Sequence, residues 1–181
     1  MMKNNMNLKK QIILICYVVL FVSCGLSVSG CGYRLAGNGT LPTGVNSICV
    51  SIFENRSTET GMENQLASDM IYEFTRSGRK VVSDPALADS ILTGIVKSVS
   101  VETLSYRSNQ TSIESRVRVV VDAKLKNKKG EEIWTADGIS EDQAYVADSD
   151  NQVNGKNKKD ALAKLSLRLA ENLHHRMTEG F

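Results

Sequence analysis

The chain has 181 residues, 41% of them hydrophobic and 23% charged, enough for one domain with a core of its own and unlike either a polytopic membrane protein or a disordered chain. Its formal charge of +2 comes from Lys3, Lys9 and Lys10 near the start; without those three of the 22 basic residues, 19 stand against 20 acidic ones, a balance of −1. That balance argues against general nucleic-acid binding, which needs a strongly basic face.

Met1 to Lys10 is polar and basic, Ile12 to Val22 is an unbroken apolar run of 11 residues, and small residues follow as far as Ser29-Gly30. This is the order of a secretory signal, and the run is shorter than the ~20 residues a transmembrane helix needs. An uncleaved anchor is the alternative, because Cys24 to Val28 extends the weakly apolar region to about 17 residues, the lower limit for spanning. Val28-Ser29-Gly30-Cys31 resembles a bacterial lipobox, and Cys24 after Phe21-Val22-Ser23 matches that pattern less well. The resemblance implies a lipoprotein signal peptide over 1–30, a diacylglycerol and an N-acyl lipid on Cys31 in place of any dissociable cofactor, and one periplasmic domain over 31–181. One acyl chain holds only marginally at about 0.8 kcal/mol per buried methylene, whereas two or three hold firmly. Gly32 stands where enteric lipoproteins kept at the inner membrane carry Asp, so the resemblance implies the periplasmic side of a Gram-negative outer membrane.

Gly32, Gly37, Gly39, Pro42 and Gly44 predict a loop into the domain. Val45 to Phe53 alternates as a first strand, with Ile48, Val50 and Ile52 on one side and Cys49, Ser51 and Phe53 on the other. Glu59 to Arg76 takes a helical period, with Met62, Leu66, Met70, Ile71 and Phe74 on one stripe, Thr58 or Thr60 as cap and Gly78 as stop. A short extended piece at Lys80 to Val82 precedes a long strand from Ile91 to Tyr106, whose alternation breaks and calls for a bulge near Gly94 to Lys97. Thr111 to Lys126 is the clearest strand: Val117, Val119, Val121, Ala123 and Leu125 form one side, and Arg116, Arg118, Lys124 and Lys126 make the other mostly basic. A turn at Lys128 to Glu131 leads to a fourth strand from Ile133, carrying Trp134. Ser140 to Lys159 reads as a polar loop, and Asp160 to Met177 as a helix with Leu162, Leu165, Leu169, Leu173 and Met177 on one stripe and Asn157 or Asp160 near its cap. The fold predicted is α+β: a two-layer sandwich of a mostly antiparallel four-stranded sheet with two helices packed on one face, in the order strand, helix, three strands, helix.

No nucleophile elbow, phosphate loop, dinucleotide fingerprint or zinc-type spacing occurs, so neither a catalytic residue nor a metal site is predicted. Cys49, left as the one free thiol of the domain, reads as a small buried hydrophobe. His174 and His175 suit a helix C-terminus, where positive charge is favoured. Asp148, Asp150, Gln152 and Asn154 imitate a calcium loop without its sixth-position glycine or its closing Glu. Asn38, Asn55 and Asn109 head formal glycosylation triplets.

Taken in order, Cys31-Gly32-Tyr33-Arg34-Leu35, Leu41-Pro42, Phe53-Glu54-Asn55-Arg56-Ser57, the helix from Glu63 to Phe74, Ala88-Asp89 before Leu92-Thr93-Gly94, and Gly130 through Ile133-Trp134 resemble the lipopolysaccharide-assembly lipoprotein family, LptE. The resemblance covers most of Cys31 to Ala170 and is weakest over Ser140 to Lys159. It implies a non-enzymatic protein whose partners are the outer-membrane β-barrel that inserts lipopolysaccharide, which it plugs and helps to assemble, lipopolysaccharide itself, and the membrane through the lipid anchor, with no nucleic acid. Arg116, Arg118, Lys124 and Lys126 are the candidate contacts for lipopolysaccharide or partner, against an ordinary solvated sheet face. The rival reading is another outer-membrane lipoprotein, a regulator of a peptidoglycan synthase or an auxiliary subunit of a transport system.

Overall fold

The computed structural model describes residues 41, 45–105 and 113–179. The lipobox residues Val28, Ser29 and Gly30, the lipidation candidate Cys31, and the first residues of the family pattern lie outside them. Six strands and two helices follow in order: β1 (Ser47–Val50), β2 (Glu54–Asn55), α1 (Met62–Arg76), β3 (Lys80–Val81), β4 (Ser90–Ser105), β5 (Ile113–Asn127), β6 (Glu132–Ala147) and α2 (Asn151–Glu179). A single turn of 3-10 helix, Pro85–Leu87, precedes β4.

The sheet runs β3-β1-β4-β5-β6, with β2 also paired to β4. β4, β5 and β6 are antiparallel, whereas β1 lies parallel to β3 and β4, and β2 parallel to β4. The sheet is therefore six-stranded and mixed, where a mostly antiparallel four-stranded one was predicted. The cause is the helix between β1 and β3: a strand reached through a helical crossover re-enters the sheet at the starting end and runs parallel to its predecessor. β3 lies in the short extended piece predicted at Lys80 to Val82, whereas β2, of two residues, is too short to show a period of its own.

The alternation in β5 fixes the layers. Val117, Val119, Val121, Ala123 and Leu125 are all fully buried, and both helices cover that side. Met62, Leu66, Met70 and Phe74 of α1 and Leu165, Leu169, Leu173 and Met177 of α2 share one core with them. Each buried aliphatic or aromatic side chain contributes about 1.5–3 kcal/mol. The helices run in the same direction, with Lys158 paired to Glu59 at one end and Arg76 lying 4.0 Å from Glu171 at the other. Ile71, predicted on the α1 stripe, is 40% exposed, because it lies at the margin of an apolar arc already filled by Leu66, Met70 and Phe74.

Two bulges decide which side chains enter the core. In β4 the register slips between Val96 and Ser98, so Leu92 and Val96 point inward before Lys97 and Val99 does so after it, as the broken alternation predicted. The first predicted strand breaks in a way its sequence conceals. Val50 pairs with Leu92 and Glu54 with Ile95, four residues on one side against three on the other. The extra residue reverses the phase, leaving Ile52 67% exposed and Phe53 2% exposed. Phe53 then rests on Gly94, where a Cβ would lie 2.1 Å from its ring.

Polar groups lock the same corner. Asn55 Oδ1 accepts hydrogen bonds from the backbone N–H and hydroxyl of Ser57, and its Nδ2 donates to the Glu59 carbonyl and to Glu63 Oε2 at 2.6 Å. Glu63 Oε2 also accepts from Gly61 N–H, so α1 starts at Met62 behind a left-handed Gly61 and without the predicted threonine cap. At the other end Gly78, at φ 76°, donates to Thr75 and ends the helix. Asp89 joins β1 to β4: its Oδ2 accepts from Asn46 N–H, Ser47 N–H and the Ser47 hydroxyl, while Lys128 stands 3.0 Å from Oδ1.

The segment from Ser140 to Lys159 is not a loop. Its first part completes β6 and its second opens α2, which begins where Asp150 Oδ1 accepts from Gln152 and Val153 N–H. The segment reads as polar because this end of β6 and the first turns of α2 bury few apolar groups, so neither period is written in hydrophobic residues.

Gly94→Ala should destabilise the protein by about 1–3 kcal/mol in urea denaturation, through overpacking against Phe53, whereas Gly155→Ala in α2, where a Cβ meets nothing within 4 Å, should stabilise it by up to about 1 kcal/mol. Asp89 titrates at about 2, chiefly because Lys128 and then Ser47 hydrogen-bond to it, against an ordinary value of 3.8. Its contribution is complete above pH 3.8 and is lost as pH falls toward 2, since the unfolded chain takes up the proton first. Urea midpoints measured across that window should fall more steeply for the native protein than for Asp89→Asn.

Candidate functional site

With both helices on one side, the other side of β4, β5 and β6 is open to solvent, and alternation places Arg116, Arg118, Lys124 and Lys126 there. The strand carries them as two clusters. Eight residues of extended chain separate Arg116 from Lys124, a span of about 26 Å. In the first cluster Arg116 Nε stands 3.2 Å from Asp142 Oδ2 and Arg118 Nη2 stands 3.6 Å from Asp142 Oδ1. Asp142 is the register partner of Arg118 on β6, and Glu102 of β4 is that of Arg116, so the cluster is close to charge balance. In the second, Lys124 Nζ lies 2.8 Å from Glu132 Oε1. That hydrogen bond lowers the Glu132 carboxyl and raises the Lys124 ammonium from their ordinary values, and Lys126 adds a smaller pull on Glu132. Between the clusters, Lys97 Nζ lies 3.3 Å from Asp122 Oδ2.

What the sequence indicated as a basic strip is thus a strip of cations each facing a carboxylate from a neighbouring strand. The signal was present, in Glu102, Glu132 and Asp142, but it needed the register to be read. Exposed pairs of this kind contribute only about 0–1 kcal/mol, so another anion can take the carboxylate's place at little cost. At the end of the sheet where Arg116 lies, apolar side chains also reach solvent: Val101 at 47% and Val146 at 52%, with Leu104 and Val153. They are divided between the two sides of the sheet: Val101 opposes the buried Val117 on the helix side, whereas Val146 opposes Glu114 on the side of Arg116.

Two depressions lie on the surface of the described residues. One, of about 550 Å³, lies between the start of α1 and the first half of α2, with Met62, Gln65, Lys158 and Leu162 among its walls. The other, of about 310 Å³, lies between β6 and α2 around Tyr145, Asn157 and Lys164. Among the described residues no three His, Cys, Asp or Glu side chains converge as a metal site, and no helix is long and apolar enough to cross a membrane. Asp148 and Asp150 accept backbone N–H groups at the start of α2. His174 packs edge-on against Phe74 with its Nε2 3.0 Å from the Ser77 hydroxyl, and burial lowers its pKa. Cys49 is buried, which raises its thiol. Asn55 commits its amide to the α1 corner, while Asn38 and Asn109 lie outside the described residues.

Residues 45–177 match the family model LptE, described as lipopolysaccharide-assembly. Among solved structures the chain is similar to an uncharacterized lipoprotein B from Nitrosomonas europaea, at 15% identity and a TM-score of 0.52, over 81% of this chain and 90% of that one. It is also similar to the rare lipoprotein B of Shewanella oneidensis, at 16% identity and a TM-score of 0.46, over 75% and 92% of the two chains. A minor lipoprotein from Acinetobacter baumannii gives 11%, 0.48, 75% and 94%. At these identities the first likeness shows the fold alone. No curated protein matches the chain in sequence.

Asp142→Asn removes the carboxylate shared by Arg116 and Arg118. It should change unfolding free energy by less than about 1 kcal/mol, measured by thermal or urea unfolding, because all three groups are solvent-accessible.

Proposed function

Because the chain belongs to the LptE lipopolysaccharide-assembly family, we propose that it is an outer-membrane lipoprotein, anchored through Cys31, that plugs the lipopolysaccharide-inserting β-barrel, assists its assembly and contacts lipopolysaccharide. The observation that carries this reading is the family match itself, which takes in every strand and all but the last two residues of α2. The family is non-enzymatic. The chemistry of the surface supports the finer reading. A sheet face lined by compensated charge suits the polar lumen of a barrel, where unpaired charge or a bare apolar face would not. β4 alone, at 16 residues, extends about 53 Å, long enough to follow such a lumen.

For lipopolysaccharide the favoured place is the end of the sheet at Arg116 and Arg118. Two guanidinium groups held on one exchangeable carboxylate are arranged to take a phosphate by charge-assisted, bidentate hydrogen bonds. Val146, 52% exposed and opposite Glu114 on the same side of the sheet as Arg116, offers apolar contact to acyl chains. An amphiphile with phosphates beside acyl chains matches that juxtaposition. Lys124 and Lys126 stand too far along β5 to join the same headgroup and are assigned to the barrel wall.

Purified in mild detergent, the tagged chain should carry with it a large outer-membrane β-barrel; recovery instead with a peptidoglycan synthase or an inner-membrane transporter would overturn the assignment. Arg116→Glu/Arg118→Glu should weaken lipopolysaccharide binding about tenfold or more, and Asp142→Asn should strengthen it. Unchanged binding in both variants would remove the arginines from the lipid site while leaving the barrel partnership standing.

A further inference from the structure

β6 forms one border of the sheet, with β5 on one side and no strand on the other among the described residues. Its 16 residues would offer a long row of unpaired backbone groups, a template on which another strand can form. Three side chains obstruct that row. Arg168 Nη2 donates to the Asp142 carbonyl, Gln143 Nε2 donates to the Ala144 carbonyl at 2.8 Å, and Asn157 Nδ2 donates to the Val146 carbonyl at 2.8 Å. Residues two apart in a strand turn their N–H and C=O to the same side, so Asp142, Ala144 and Val146 make one row. Side-chain donors on every member identify it as the row turned away from β5.

The spacing shows how the helix reaches it. Asn157 and Arg168 both belong to α2 and are separated by three turns, about 16 Å along the helix axis. Val146 and Asp142 are about 13 Å apart along the strand, in the reverse chain direction. α2 therefore runs back beside β6 with its donors in step with the carbonyls they cover. The other half of β6 is interrupted differently. The register shifts opposite Val121 and Ala123, Gly138 adopts φ 66°, and its N–H is taken by Asp122 Oδ1 at 2.7 Å, a bulge that bends the border away from a straight template.

We propose that Arg168, Asn157 and Gln143 form an edge guard that prevents β6 of one copy from pairing antiparallel with β6 of a second copy. A two-fold axis at Ala144 would set Asp142 of each copy against Val146 of the other, with the small Ala144 side chains at the centre. The guard also gives a role to the polar stretch at the start of α2, which buries few apolar groups yet is held as helix beside the strand.

The test uses the full chain purified from membranes in detergent, with its mass measured by sedimentation under conditions that match out the micelle. The native protein should sediment as one copy. Arg168→Ala/Asn157→Ala/Gln143→Ala should double in mass as concentration rises, and the Ala144 amide should become protected from hydrogen exchange. Adding Ala144→Pro, which removes the outward N–H without touching the β5 ladder, should return the mass to one copy. Three results would overturn the proposal: a triple variant that stays single while unfolding as cooperatively as the native protein, association that Ala144→Pro does not reverse, or a native protein already paired through β6. Should the triple variant fail to fold, Arg168→Ala/Asn157→Ala, which leaves the strand's own sequence intact, is read in the same way.

Discussion

The two-sidedness of β5 is the constraint from which the rest of the structure follows. Its inward residues from Val117 to Leu125 are fully buried, and the strand is hydrogen-bonded along most of its length to β4 on one side and β6 on the other. A shift of one residue in either pairing would turn five core side chains to water and four cations into the helix layer, a loss far larger than the few kcal/mol by which a domain of this size is stable. Register is therefore fixed, and with it the positions of both helices and the open face.

The residues through which the chain resembles its family are chiefly those that hold one corner of this arrangement. Phe53 rests on Gly94 because an extra residue between β1 and β2 turns it inward. Asn55 ties the turn after β2 to the start of α1 through Glu63. Asp89 ties the start of β1 to β4 and to Lys128 in the turn after β5. These contacts join a parallel βαβ unit to an antiparallel three-stranded sheet, a junction no regular pattern supplies. These contacts fix the fold and leave the open face and the β6 border to other residues.

Those surfaces are built from compensated charge. On the open face Lys97, Arg116, Arg118 and Lys124 each meet a carboxylate from an adjacent strand, so the sheet carries no strong field of one sign there. On the β6 border the same economy applies to the backbone, whose outward carbonyls are met by side chains from α2 and Gln143. Both arrangements satisfy the polar groups of long strands from within the domain, through weak and solvent-accessible contacts.

The sequence by itself determined the two helices through their apolar stripes, the inward row of β5, the bulge in β4, and the family, because each is written in side-chain pattern along a continuous stretch. It could not show that β1 and β2 lie parallel to β4, that Phe53 and Ile52 exchange places, or that Ser140 to Lys159 is strand and helix. Those depend on crossover geometry, on a one-residue mismatch between distant strands, and on backbone pairing in a segment with few apolar residues to mark its period. The charge balance of the open face belongs to the same class. Arg116, Arg118, Lys124 and Lys126 were legible as one side of a strand, but Asp142 and Glu132 became their partners only when the register brought β6 beside β5.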